Sequence, residues 1–350
     1  MGNAQSCIIA SLSVCSVYLF YAHIYRSHSL LQTNVICSER LPSFGYLFGK
    51  YLIKALTRRP GDLYTTTTKE KCEVAYTVLN CRLETPLLRR FCSASGYGWD
   101  YPDSEYRDIP LCFPELLCLR LMLMVLSADS FRLSPAGLVR VRQSLKTLQP
   151  IDELKKGPFT LHARVLEYRP VDAGVEVDIR LSATSRSSCP VWESVLTLLS
   201  KNKFHKAARP EDENKCQPDG PVPADVKRVE IRVPWSSGLR CAWSFSDYSP
   251  HQLLSLPARL FGCRAQTSPS LWMLSVCLAE IEKHKGVKSI TAPINVAVQF
   301  KEPLSAPGKV VITFWETPAE KDQSSAQSIS FHMEQHGSRV AHMVGFICRT

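Results

Sequence analysis

The sequence lacks the patterns that define several common classes of enzyme. It contains no glycine-rich phosphate loop, no G-x-G-x-x-G segment and no G-x-S-x-G elbow. This argues against P-loop, Rossmann and serine-hydrolase chemistry and implies no nicotinamide or other cofactor. None of the fourteen cysteines forms a C-x-x-C pair, and the histidines are not spaced as metal ligands, so no metal site is predicted. We expect the cysteines to be reduced thiols, since several fall in apolar or helical stretches.

The charge of the chain is moderate and widely spread. Its 350 residues carry a formal net charge of +10. The basic residues are scattered rather than gathered into a stripe with interleaved aromatics, so nucleic-acid binding is not predicted. A generally basic surface favours anionic ligands or anionic membranes instead. A chain of this length is expected to form two domains, each with its own core.

The amino terminus is apolar and carries no Asp, Glu, Lys or Arg before Arg26. Residues 7–25 form a run just long enough to cross a bilayer as a helix. The segment has neither a basic start nor a clear cleavage site, which predicts an uncleaved anchor rather than a signal peptide. The following positive charge predicts that the main domains face the cytosol.

A lipidation signal overlaps this apolar run. The first six residues, MGNAQS, fit the N-myristoylation pattern with Gly2 as the acceptor, and Cys7 is placed for a second, palmitoyl anchor. A transmembrane helix and a lipid anchor therefore both stay open for residues 1–26. Either one attaches a cytosolic protein to a membrane.

A buried helix followed by alternating strands is predicted in the first half of the chain. Residues 113–128 are apolar on nearly every face, with Pro114 and Glu115 in the first turn. Alternation of apolar and polar residues predicts the strands 138–148, 159–168, 175–183 and 191–199. We assign residues 38–199 to an amino-terminal domain.

The same order returns after a polar, proline-bearing segment at 200–228, which is predicted to be an exposed linker. In the second domain, residues 229–350, Ser268 is the predicted N-cap of a helix that ends at Gly286. The predicted strands that follow are 294–300, 309–315, 328–333 and 340–348. One long helix against an antiparallel sheet is an α+β arrangement, and its occurrence in both halves suggests a duplication.

Four segments of the second domain resemble the MaoC-like hydratases and dehydratases in their double-hotdog form. Residues 246–252 (SDYSPHQ) resemble the G-D-x-N-P-I-H part of the family motif, and 256–262 (LPARLFG) its A-R-x-F-G stretch. Residues 268–272 (SPSLW) match A-H-G-M-W at the start of the hotdog helix. Residues 300–308 (FKEPLSAPG) resemble the turn F-x-x-P-L-x-P-G. The resemblance implies an α+β double hotdog, with two central helices each wrapped by an antiparallel sheet and paired within one chain.

The resemblance also implies a catalytic pair that this chain has altered. In the family, an Asp and a His activate the water that adds to, or leaves from, the β-carbon of an acyl thioester. Asp247 stands at the Asp position, whereas Gln252 stands at the His position and Ser249 at the Asn position. Gln252 can hydrogen-bond but cannot act as a base near neutral pH. His251, one residue away, is the candidate replacement.

The family places the thioester oxygen near backbone N–H groups at the start of the hotdog helix. Ser270, Leu271 and Trp272 occupy that position here. Together with Ser249, they are the expected substrate-binding residues. The substrate implied is a thioester of coenzyme A or of an acyl-carrier protein.

Three functions are left open by these residues. The first is a membrane-attached (3R)-hydroxyacyl/enoyl hydratase-dehydratase of fatty acid metabolism, a hydro-lyase in which Asp247 polarises water and His251 or Gln252 assists. The second is a non-catalytic protein that binds acyl-coenzyme A or an acyl carrier, which the Gln252 substitution favours. The third is a hotdog thioesterase that uses Asp247 as its general base.

Overall fold

The computed structural model describes residues 17–18, 20–65, 74–103, 109–202, 226–233, 266–317, 328–337 and 341–349. The predicted domain boundaries, including the linker, stay predictions.

Eleven strands form one continuous sheet in the order β1-β2-β4-β5-β6-β3-β9-β13-β12-β11-β7. The β1–β2 pair is parallel, and the other neighbouring pairs are antiparallel. A small second sheet pairs β8 with β10. The strand bounds are β1 Val35–Cys37, β2 Ala75–Cys81, β3 Leu138–Thr147, β4 Phe159–Val171, β5 Gly174–Thr184, β6 Pro190–Lys201, β7 Lys227–Val233, β8 Gln266–Thr267, β9 Ile294–Phe300, β10 Ser305–Ala306, β11 Gly308–Thr317, β12 Ser328–Gln335 and β13 Ala341–Arg349.

Five of the six α-helices in the described part of the chain lie in its first half. A short π-helical turn, Phe20–Tyr25, precedes the first α-helix. The helix bounds are α1 Arg26–Leu31, α2 Phe44–Thr57, α3 Thr85–Ala94, α4 Phe113–Leu117, α5 Leu119–Ser127 and α6 Ser270–Lys285. Single 3₁₀ turns occur at Ser38–Arg40, Tyr101–Asp103, Ile151–Lys155 and Val287–Ser289.

The central helix of the first half runs from Phe113 to Ser127 and is interrupted at Cys118. Every residue of α5 from Leu121 to Ser127 is buried, which explains why its sequence is apolar on nearly all faces. The alternating strands turn their apolar side chains toward this helix. On β5, for example, Val177, Ile179 and Leu181 are fully buried.

The central helix of the second half, α6, is equally buried and ends where the sequence predicts. Gly286 follows it with φ 85°, a backbone conformation that favours glycine, and its N–H donates to the Glu282 carbonyl. The predicted start is wrong by one residue, because Pro269 takes the N-cap position and makes no side-chain capping bond. Ser268 therefore does not cap the helix.

The two halves join within one chain through antiparallel pairing of β3 with β9. The register runs from Arg142 opposite Gln299 to Thr147 opposite Ile294. Leu145 and Val296 face each other in this register and are both fully buried, so the joint is part of the core. This pairing makes the fold an α+β double hotdog, as the sequence predicts.

The amino-terminal predictions fall largely on residues that the structure does not describe. Gly2 and Cys7 lie outside the described residues, as does most of the predicted span 7–25. Within the described part of the chain, no helix is both long and apolar enough to cross a membrane. The lipidation sites and the cytosolic placement stay predictions.

Candidate functional site

The predicted catalytic residues Asp247, His251 and Gln252 lie outside the described residues, as does the predicted substrate-binding residue Ser249. Their roles stay predictions. The structure does describe the other part of the candidate site, which is the start of α6 and the turn beside it.

Two of the four family-like segments meet at the start of α6. The Ser268 N–H donates to the Leu304 carbonyl over 2.7 Å, which ties the SPSLW segment to the FKEPLSAPG turn. Directly beside this bond, Gln266–Thr267 pairs with Ser305–Ala306 in the small sheet. These contacts hold the chain in place directly before α6.

The first turn of α6 is suited to a partial negative charge. The N–H groups of a first helical turn have no acceptor within the helix, and the helix dipole places partial positive charge there. This turn contains no acidic side chain. Ser270 is partly exposed at this end, whereas Leu271 is buried. An oxygen that gains negative charge would be stabilised at this position.

Ser268 adds a second polar group at the same place. Its residue surface is only 5% exposed, and its Oγ has no hydrogen-bond partner among the described residues. A buried hydroxyl without a partner costs about 1–3 kcal/mol. Sequence analysis assigns this serine to capping, and only the shift of the helix start to Ser270 shows that the hydroxyl is left over.

Trp272 is held by the first half of the protein. Its indole N–H donates to the Ala94 carbonyl, the last residue of α3, over 3.0 Å, and the residue is buried. Further along α6, the Tyr101 hydroxyl donates to the buried Glu282 carboxylate at 3.0 Å. These contacts fix α6 against residues 85–103. Whether Trp272 also contacts substrate stays a prediction.

In the first half of the protein, the central helix begins at α4, and its first turn takes part in a buried ion pair. Arg140 Nη2 donates to Glu115 Oε1 over 2.6 Å, and Gln143 Nε2 donates to Glu115 Oε2 over 2.7 Å. Gln143 also donates to Ser194 Oγ over 3.0 Å. Sequence analysis missed this network. Its signal is Arg140, which stands where the alternation of β3 places an inward-facing residue.

The two central helices meet near Cys112, which precedes α4. Burial raises the pKa of the Cys112 thiol to about 12, and the Glu115 charge adds to this, while a hydrogen bond with Ser275 of α6 opposes it. The thiol is therefore protonated at neutral pH and is a poor nucleophile. All eight cysteines in the described part of the chain are free thiols.

A separate groove lies on the face of the sheet that points away from the helices. It measures about 460 Å³ and crosses the β3–β9 joint. Outward-facing side chains of successive strands line it, including Val195, Ala297, Trp315 and Phe346. It is open and mostly apolar, and it does not include the start of α6.

The strand order and the β3–β9 joint define a double-hotdog fold. No protein-family model matches the chain, and no curated protein sequence matches it. Several solved structures do match the chain. HtdX from Mycobacterium tuberculosis aligns with 78% of this chain and 98% of its own, with a TM-score of 0.54 and 17% identity.

Two further structures carry the same fold. A MaoC-like dehydratase from Phytophthora capsici aligns with 79% of this chain and 95% of its own, with a TM-score of 0.54 and 15% identity. Another MaoC-like dehydratase aligns with 79% of this chain and 97% of its own, with a TM-score of 0.58 and 13% identity. The predicted resemblance to the MaoC-like double-hotdog proteins is confirmed at the level of the fold.

Proposed function

We propose that this protein binds an acyl thioester with the thioester oxygen at the first turn of α6, and that it hydrates or dehydrates the acyl chain. The observation that carries the proposal is the start of α6, where a first turn without acidic residues lies beside the Ser268 hydroxyl, which has no hydrogen-bond partner among the described residues. The shared fold supports it, because two of the structures with this fold are described as MaoC-like dehydratases. A fold alone does not determine an activity, so the argument depends on the site.

In the proposed reaction, water adds across the C2–C3 double bond of an enoyl thioester. The hydroxyl group goes to C3 with (3R) configuration, and a proton goes to C2. Asp247 polarises the water, and His251 or Gln252 assists it. As the water oxygen bonds to C3, negative charge builds up on the thioester oxygen, where the α6 N–H groups stabilise it. The charge is lost when C2 accepts the proton.

A second function is favoured by one specific substitution. Gln252 stands at the position of the family's histidine and cannot take up a proton near neutral pH. A protein with this change and an intact helix start would bind acyl-coenzyme A, or an acyl carrier, without turning it over. The two functions share the ligand and differ in the chemistry.

The test is the hydration of a trans-2-enoyl-coenzyme A series by the purified full chain. We expect loss of the enoyl absorbance and formation of the (3R)-hydroxyacyl product. We also expect calorimetry to detect binding of the saturated acyl-coenzyme A. Binding without turnover would leave the acyl-binding function. Release of free coenzyme A would indicate a thioesterase, and folded protein without binding would overturn both proposals.

Ser268→Ala separates the proposed role of the hydroxyl from stability. The change removes a buried polar group without a described partner, so we expect the free energy of unfolding to rise by about 1 kcal/mol. If the hydroxyl contacts the thioester, acyl-coenzyme A binding weakens by about tenfold. Urea denaturation and calorimetry measure the two effects.

Ser275→Ala is the matched control on the same helix. The Ser275 hydroxyl donates to the Leu271 carbonyl over 2.7 Å, so its loss removes an existing bond and is not expected to weaken ligand binding. Equal ligand affinity in the wild type and Ser268→Ala would contradict the role of Ser268.

A further inference from the structure

Helix α2 presents an unusual outer face. Its inner stripe is formed by Leu47, Tyr51 and Lys54, which are buried. On the opposite side, Ile53 is 63% exposed and Leu56 is 86% exposed. A surface helix that buries one stripe normally carries polar residues on the other side, which this helix does not.

The helical periodicity shows how complete this apolar face is. At 100° per residue, the positions opposite the inner stripe are Gly45, Gly49, Leu52, Ile53 and Leu56. None of them is charged or carries a polar side chain. The basic residues of the helix lie at its flank and at its inner stripe.

A second apolar segment adjoins α2. The exposed large side chains of this segment are Val17, Tyr18, Phe20, Tyr21, Ile24 and Tyr25. Several hydrogen bonds link it and the following helix to the start of α2. The Ser43 hydroxyl donates to the His23 carbonyl over 3.2 Å, and His28 Nδ1 and the Tyr46 hydroxyl are 2.8 Å apart. Aromatic side chains of this kind are typical of the membrane–water boundary.

The charge of this part of the chain identifies the partner. Residues 1–60 contain six basic residues and one acidic residue, a net charge of +5 out of +10 for the whole chain. Lys50 is paired with Asp129 at 3.0 Å, but Arg26, Arg40 and Arg59 are exposed. Exposed cations beside an apolar surface match anionic lipid headgroups above acyl chains.

We propose that α2 and residues 17–25 form one membrane-contact surface that rests on the anionic face of a lipid bilayer. Ile53 and Leu56 enter the acyl boundary, and the arginines contact the headgroups. The surface is independent of the proposed acyl-thioester chemistry. It also differs from the predicted span at 7–25, because the exposed side chains of α2 lie outside that run.

The test compares the full chain, prepared without lipid modification, with the double variant Ile53→Glu/Leu56→Glu. Binding is measured by flotation with phosphatidylcholine vesicles that contain phosphatidylserine. We expect the double variant to bind at least about tenfold more weakly, since two exposed apolar side chains become charged. Binding of the wild type should also fall at high salt. Hydrogen exchange should show that vesicles protect the amides of residues 44–57.

Leu166→Glu is the matched control, because Leu166 is an exposed leucine on β4 and belongs neither to α2 nor to the amino-terminal apolar segment. Its vesicle binding should equal that of the wild type. Circular dichroism verifies that each variant is folded. Unchanged binding of the double variant, without protection of residues 44–57, would overturn the proposal. The proposal would also be overturned if the wild type were a dimer, the double variant were a monomer and vesicles had no effect on either. The face would then bind a second copy of the chain.

Discussion

Replacement of Glu115 by Ala is expected to lower the free energy of unfolding by about 3–5 kcal/mol. The Glu115 side chain is 0% exposed and the Arg140 side chain is 2% exposed, so removal of the carboxylate leaves the buried guanidinium without this ion pair. Gln143 also loses an acceptor. Urea denaturation of the wild type and Glu115→Ala measures the difference in the free energy of unfolding. We expect the two proteins to have the same dependence on urea concentration.

Two control variants separate the buried charge from the lost packing. Glu115→Leu combined with Arg140→Met removes both charges, and we expect it to recover most of the stability lost in Glu115→Ala. Glu176→Ala breaks an ion pair with Arg142, whose side chain is half exposed, and should cost about 1 kcal/mol or less. A loss in Glu115→Ala no larger than that in Glu176→Ala would contradict the prediction.

The second large effect concerns the altered catalytic pair. We expect Gln252→His to raise kcat for enoyl hydration by about 100-fold, because it restores a side chain that can exchange a proton near neutral pH. Asp247→Asn is expected to lower kcat by about the same factor or more, since the amide cannot accept a proton from water. Stopped assays with the enoyl-coenzyme A series measure both.

His251→Ala decides between the two residues proposed to assist Asp247. If His251 takes the place of the family histidine, its loss lowers kcat while Gln252→Ala has little effect. If Gln252 holds the water, the order is reversed. Equal activity of wild type and Asp247→Asn would show that hydration does not use this motif.

The sheet and the central helices could be predicted from the sequence because their burial is periodic. The strand at 294–300 has the predicted bounds, and the other predicted strands differ at their ends by at most a few residues. Helix α2 and strands β1 and β2 were missed. Helix α2 lacks a polar face, so its sequence has no contrast between inside and outside. Strand β1 has only three residues, and the pairing of β2 with β4 is a long-range contact that local patterns do not report.

The site was predictable only in part, for a different reason. The meeting of residues 268–272 with residues 300–308 follows from the order of family-like segments, and the structure shows it directly. The Glu115–Arg140 pair could not be derived, because the partners are 25 positions apart and come from a helix and a strand. The only indication of this pair in the sequence is Arg140, which the alternation of β3 places on the buried face. Nor does the sequence show that the Ser268 hydroxyl lacks a described partner, because the same residue fits an N-cap equally well.

The β3–β9 joint has a consequence for how the protein evolved. Two hotdog units that pair as separate identical chains must keep the same sequence at both helix starts, because one gene encodes both. Fusion into one chain removes that constraint. Here the first helix start has become a salt-bridged core around Glu115, while the second has kept an acid-free end beside Ser268. Under the proposed function, the fused protein has divided labour between its halves, with one helix start contributing to stability and the other binding the acyl thioester.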